Sequence, residues 1–122
     1  MPKVLVAEDE QDILELIRFT LEFNGFEVVT ASNGAEAVDR ARQTRPDLIL
    51  LDVRMPRMTG YEACQTLKAA PDTQAIPVVF LSARGQEADV QHGLSLGATD
   101  YILKPFAPDE LPARLREILS DA

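Results

Sequence analysis

Four places in the 122-residue chain set polar side chains directly after short apolar runs. Glu8-Asp9-Glu10 follow Val4–Ala7, Asp52 follows Leu48–Leu51, Ser82 follows Val78–Leu81, and Lys104 follows Tyr101–Leu103. Each alone has an ordinary explanation. Acids ahead of a helix favour the positive end of its dipole, and an Asp after a strand often caps a loop. As a set they describe a site. Two like charges ~4 Å apart repel by roughly 4 kcal/mol at an effective dielectric of about 20. A divalent cation removes that repulsion. Oxygen donors without histidine or thiolate select a hard ion, Mg²⁺ or Mn²⁺, which takes one or two carboxylates plus water and phosphate oxygens. A lysine and a hydroxyl aimed at the same place can hold a phosphoryl group. A carboxylate between them and the metal can act as nucleophile toward phosphorus and form an acyl phosphate.

The elements that would position these groups alternate regularly. Val4–Ala7, Phe26–Val29, Leu48–Leu51, Pro77–Leu81 and Tyr101–Leu103 predict five strands. Gln11–Asn24 carries Ile13, Leu16, Ile17 and Leu21 at helical spacing and is followed by Gly25, a C′ residue. Ala35–Gln43, ended by Pro46, Gly60–Ala69, Glu87–Leu96, stopped by Gly97, and Asp109–Leu119 predict four more helices. Strand-then-helix, five times over, implies a parallel sheet covered on both faces, and right-handed crossovers make it doubly wound. In such sheets ligands bind beyond the carboxyl ends of the strands, where strand order reverses. All four polar groups fall at that edge.

Length and composition agree with one α/β domain over residues 1–122. A chain of this size buries roughly two-thirds of its unfolded surface and needs no disulfide or metal staple. Apolar residues make up 46% and charged residues 26%, an ordinary globular mixture. Twelve basic and twenty acidic residues give a net charge of −8, shared evenly between the halves, so no basic patch predicts direct nucleic-acid binding. The lone cysteine, Cys64, cannot close an internal disulfide. The N-terminus is not that of a signal peptide, and no apolar run approaches a membrane span, so a cytoplasmic protein without membrane contact is expected.

The joint set Glu8-Asp9, Asp52 with Met55-Pro56 and Gly60, Ser82-Ala83, and Lys104-Pro105-Phe106 resembles the receiver domain of two-component response regulators across the whole chain. The resemblance implies a flavodoxin-like, doubly wound sheet of five parallel strands in the order 2-1-3-4-5 with five helices. It also implies a phosphorelay switch rather than an enzyme. Asp52 would be the phosphoacceptor. Asp9 and Asp52 would bind Mg²⁺ (or Mn²⁺) through carboxylates, Arg54 through its backbone carbonyl, and Glu8 through a water. Ser82 would hydrogen-bond the phosphoryl group and Lys104 would pair with it. Tyr101 matches the aromatic that changes rotamer on activation. The phosphoryl donor would be a sensor histidine kinase or a histidine-phosphotransfer protein. The listener would be a downstream protein or an output domain.

The chain departs from the family's pattern in places. Glu8 stands where many members have Asp. Pro112 lies in the last helix and should kink its first turn or delay its start. His92 and Ser95 occupy positions where the DNA-binding subfamily usually carries Arg and Glu for a charged dimer face, so a monomer is expected, with His92 exposed. The Lys104–Pro105 peptide is expected to be cis. Rival chemistries fit worse. A haloacid-dehalogenase-type phosphatase needs a second Asp where Arg54 stands. A flavin carrier would not place three acids after its first strand. A P-loop is absent. A degenerate receiver that only binds proteins would have lost Asp52 or Lys104.

Overall fold

The computed structural model describes residues 1–83, 87–104, 106–107 and 109–120, with the backbone alone at Glu87. Five strands, β1 (Lys3–Ala7), β2 (Glu27–Ala31), β3 (Leu48–Asp52), β4 (Val78–Ser82) and β5 (Asp100–Leu103), alternate with five helices. These are α1 (Gln11–Phe23), α2 (Gly34–Thr44), α3 (Gly60–Ala69), α4 (Glu87–Ser95) and α5 (Glu110–Ser120). The strands form one sheet in the order β2-β1-β3-β4-β5, parallel throughout. This is the expected architecture.

The period of two along each strand divides the core. Leu5 and Ala7 of β1, Ile49 and Leu51 of β3, and Val78 and Phe80 of β4 face one side. There they meet Ala37, Val38 and Ala41 of α2 and Ala63, Cys64 and Leu67 of α3. Val4, Val6, Leu48, Leu50, Val79 and Leu81 face the other side, against Leu14, Ile17 and Leu21 of α1 and Leu111 and Leu115 of α5. Every residue of β3 and β4 is buried. These central strands therefore read as unbroken apolar runs, while edge strand β2 starts on an exposed residue.

Helix ends explain where the boundaries differ from expectation. After α1, Gly25 takes φ +90°. Its amide donates to the Glu22 carbonyl, and the amide of Phe26 donates to that of Leu21. This is a Schellman turn. It uses Phe26 as a buried plug, so β2 begins one residue later than the apolar pattern suggests. The helix α2 ends at Arg45, which adopts φ 49°, just ahead of Pro46. Thr59 and Glu62 form a reciprocal capping box at the start of α3. α5 begins at Glu110, one residue later than expected. Pro112 is its third residue, where an N–H would have no intrahelical partner, so the proline costs no hydrogen bond and no kink is required. The expected cis peptide at Lys104–Pro105 lies outside the described residues. No helix among the described residues is long and apolar enough to cross a membrane.

Candidate functional site

Strand register brings the polar groups level. Ala7 of β1 is paired with Leu51 of β3, so the next residues, Glu8 and Asp52, stand side by side. Asp52 is paired with Leu81, and Ser82 with Leu103. Ser82 and Lys104 therefore reach the same edge one and two strands over. Carboxylate oxygens of Glu8, Asp9 and Asp52 lie within 4.8 Å of one another. An open cleft of about 420 Å³ is lined by Asp9, Glu10, Asp52, Arg54, Ser82, Ala83 and Lys104. Of the predicted site residues only Tyr101 is set back from the edge. It lies within β5, packed beside Phe80 with ring centroids 6.0 Å apart.

The three acids differ in surroundings. Asp9 is exposed, whereas Glu8 is 1% and Asp52 7% exposed. Lys104 Nζ donates to Glu8 Oε1 at 2.7 Å and stands 3.5 Å from Asp52 Oδ1. Glu8's extra methylene thus turns its carboxylate onto the lysine. Burial disfavours ionised Glu8, but hydrogen bonds with Asp52 and Lys104 outweigh it and hold its pKa below the usual value. Burial, then the hydrogen bond and charge of Glu8, push the Asp52 carboxyl up to about 7 against the attraction of Lys104. The two carboxyls face each other, so their titrations belong to the pair, with Asp52 the member pushed up. Burial likewise works against charged Lys104, yet both acids hold its pKa above the usual lysine value.

Backbone packing fixes Asp52. The Gly60 amide donates to the Val53 carbonyl at 3.0 Å. A Cβ on Gly60 would lie 2.2 Å from the Asp52 carbonyl oxygen, so only glycine lets α3 start this close to the β3 end. The Val53 amide donates to Leu81 and the Lys104 amide to Ser82, which ties the strand ends together.

The donor set suits a hard cation. Three carboxylates converge with neither imidazole nor thiolate in the group, and one lysine faces two of them.

The sequence comparison decides the family, because residues 4–116 match the family model "Response regulator receiver domain". The chain belongs to the response regulator receiver domains. Such a domain is a phosphoacceptor signalling module of two-component systems rather than a conventional enzyme, and Glu8, Asp9 and Asp52 form its acidic pocket for phosphoaspartate and Mg²⁺. The chain is 43% identical to the phosphate regulon transcriptional regulatory protein PhoB of Rhizobium meliloti, over all of this chain and 54% of that protein. It thus spans about half the length of that curated relative. The receiver domain of a signal transduction histidine kinase from Syntrophus aciditrophicus is 38% identical with TM-score 0.91, covering all of this chain and 92% of that one. The receiver domain of a sensor histidine kinase from Pseudomonas aeruginosa PAO1, which holds magnesium in its active-site cleft, is 30% identical with TM-score 0.90, over 98% of both chains.

Two features of this receiver were not legible beforehand. The Glu8–Lys104 contact joins residues 96 apart in sequence. Tyr61, one residue into α3, reaches Tyr101 across the fold. No local pattern marks it, since an aromatic at a helix start most often serves the core.

Proposed function

We propose that Asp52 is the residue phosphorylated, and that the domain is a phosphorelay switch. The observation that carries this is the placement of Asp52 at the end of β3, beside Asp9 and Glu8 and 3.5 Å from Lys104. Asp9 and Asp52 would hold Mg²⁺ through carboxylates, Arg54 through its backbone carbonyl, and Glu8 through a water. When bound, the ion supplies positive charge that neutralises developing charge on the phosphoryl oxygens.

The chain's own residues do the rest. A carboxylate oxygen of Asp52 attacks phosphorus in line with the leaving nitrogen of a phosphohistidine. A P–O bond forms, the P–N bond breaks, and its electron pair leaves on the imidazole, which takes up a proton. Ionised Asp52 is the nucleophile, so Lys104 assists by favouring the carboxylate. After transfer Lys104 pairs with the phosphoryl oxygens, and the Ser82 hydroxyl donates to another. The pull on Ser82 is felt at Tyr101, one strand over, and changes the α4–β5–α5 face. Water later attacks the acyl phosphate, which makes the signal self-limiting.

The donor in this reading is a sensor histidine kinase or histidine-phosphotransfer protein in the cytoplasm. The response passes to a downstream protein or an output domain, without direct nucleic-acid or membrane contact by this domain. The domain is a monomer, because His92 and Ser95 leave the α4 face without the charges of a symmetric pair. Acetyl phosphate with Mg²⁺ should add one phosphoryl group per chain, read by intact mass, and none to Asp52→Asn. Light scattering should show monomer mass before and after. Equal phosphorylation of Asp52→Asn would overturn the site, and a dimer mass would overturn the monomer.

A further inference from the structure

Strand β2 delivers no acid or base to the site, yet its turn into α2 is bonded to both loops that do. The Glu8 amide donates to the Ala31 carbonyl at the end of β2 at 3.0 Å, and the Gly34 amide at the start of α2 donates to the Met58 carbonyl at 3.1 Å. Only Ser32 and Asn33 lie between these two contacts. The turn is itself closed by side chains. The Glu36 amide donates to Asn33 Oδ1 at 2.8 Å, and the Ser32 amide donates to Glu36 Oε1 at 3.3 Å. One short, internally bonded segment thus holds the residue beside Asp9 on one side and the loop that follows Asp52 and Arg54 on the other.

Two features on the loop side run against local preference. Gly34 lies in α2 without a positive φ, so any residue could take its conformation, and glycine is a poor helix former. A Cβ there would sit 2.1 Å from the Met58 carbonyl oxygen, so the glycine makes room for Met58. Arg57, exposed at the loop tip, takes φ 70°, and the Met58 amide donates back to the Pro56 carbonyl at 2.7 Å. This is a γ-turn of the positive-φ form, a rare and strained conformation. Such strain persists only where the surrounding contacts over-determine it. Here it sets the backbone direction of Met58, whose carbonyl meets Gly34.

We infer that the β2–α2 turn is a positioning element of the metal site. Through the backbones of Glu8 and Met58 it fixes the spacing between the two acid-bearing loops, and Gly34 and the γ-turn at Arg57 make that fit possible. This rests on the reading of Asp9, Asp52 and the Arg54 carbonyl as the Mg²⁺ ligands. Those donors come from both loops and must be within bonding reach at once, and Mg²⁺ demands a near-ideal octahedral shell. Molecules in which the Gly34–Met58 contact is open bind the ion weakly, so the apparent affinity falls with the fraction in which it is closed.

The test separates backbone from charge with a pair of variants at Arg57. Arg57→Gly and Arg57→Val remove the same exposed charge, but glycine accepts a φ of this sign and a β-branched residue does not. In Mg²⁺ titrations followed by amide chemical shifts, Arg57→Val should bind about fivefold more weakly than Arg57→Gly, because the closed turn is then a minor population. Without metal, the Gly34 amide should exchange about fivefold faster in Arg57→Val than in Arg57→Gly. Gly34→Ala should weaken Mg²⁺ binding at least as much as Arg57→Val. Ala41→Gly, which destabilises α2 about two turns beyond the contact, should leave the Mg²⁺ dissociation constant unchanged at a temperature where the chain is folded. Equal dissociation constants in the two Arg57 variants would overturn the inference, whether or not Gly34→Ala folds. So would equal weakening in Ala41→Gly and Gly34→Ala. A wild type without Mg²⁺ affinity would overturn it together with the metal site. A wild type that binds Mg²⁺ yet takes up no phosphoryl group from acetyl phosphate marks failure of the phosphoacceptor reading alone; the dissociation constants judge the turn separately.

Discussion

Replacing Asp52 by Asn should stabilise the metal-free protein while abolishing its phosphorylation. In the folded state the Asp52 carboxyl titrates near 7, against 3.8 for an unperturbed Asp. Between those values the folded protein binds more protons at this position than the unfolded chain does, so stability falls as pH rises through the window. Below about 4 the cost is absent; above about 7 it is complete. Glu8, with a lowered pKa, makes its change at and below the ordinary Glu range, and Lys104, with a raised one, changes only in the alkaline range. Neither masks the Asp52 window. A difference of about 3 pKa units at 1.36 kcal/mol each sets a ceiling of about 4 kcal/mol. Because the titration belongs to the pair with Glu8, roughly half of that, ~2 kcal/mol, is expected for Asp52 alone. Asn resembles the protonated carboxyl in shape, and its amide can still donate to Glu8. Thermal melts in EDTA at pH 5 and pH 8 should show the variant gaining little at pH 5 and roughly 5 °C or more at pH 8. An aspartate that merely caps a loop would lose about 0.5–2 kcal/mol on substitution. A variant that melts below wild type at pH 8 in EDTA would refute the reasoning.

Mg²⁺ relieves the same repulsion only in the folded state, so at a hundredfold excess over its dissociation constant it should stabilise wild type by ~2.7 kcal/mol. The gain should shrink sharply in Asp9→Asn, and an equal shift in wild type and variant would show the ion binding elsewhere. Gly60→Ala forces a methyl group against the Asp52 carbonyl oxygen, 2.2 Å away in the ideal geometry. It should cost about 1–3 kcal/mol in urea melts and slow phosphorylation by acetyl phosphate, whereas Gly25→Ala, at an open turn far from the site, should change stability without slowing transfer.

The elements, and the sheet edge on which chemistry collects, can be read from local residue patterns. Unbroken apolar runs at Leu48–Leu51 and Val78–Leu81 announce central strands, because a parallel sheet under two helical layers buries both faces of each strand. The helical spacing in Gln11–Asn24 and the Gly after it announce α1 and its end to within a residue. The polar residues after four of the five strands announce the site, since a strand's carboxyl end is where a doubly wound fold opens. These signals are local, repeating every two or 3.6 residues, and so survive in a single chain.

The electrostatic division between the acids follows from packing alone. Glu8 and Asp52 are both acids that follow apolar strands, yet Glu8 holds Lys104 at 2.7 Å while Asp52 stands at 3.5 Å. That difference, with burial, pushes the Asp52 carboxyl up while Glu8 is held down. The Tyr61–Tyr101 contact and the approach of Gly60 to Asp52 were equally silent, because they depend on register between strands and on helix placement rather than on any periodicity. Even Pro112 changed meaning with a shift of a single residue in where α5 begins. Periodicity tells a chain which faces to bury. Ångström-scale distances between groups far apart in sequence set the charges, and they exist only once those faces have packed.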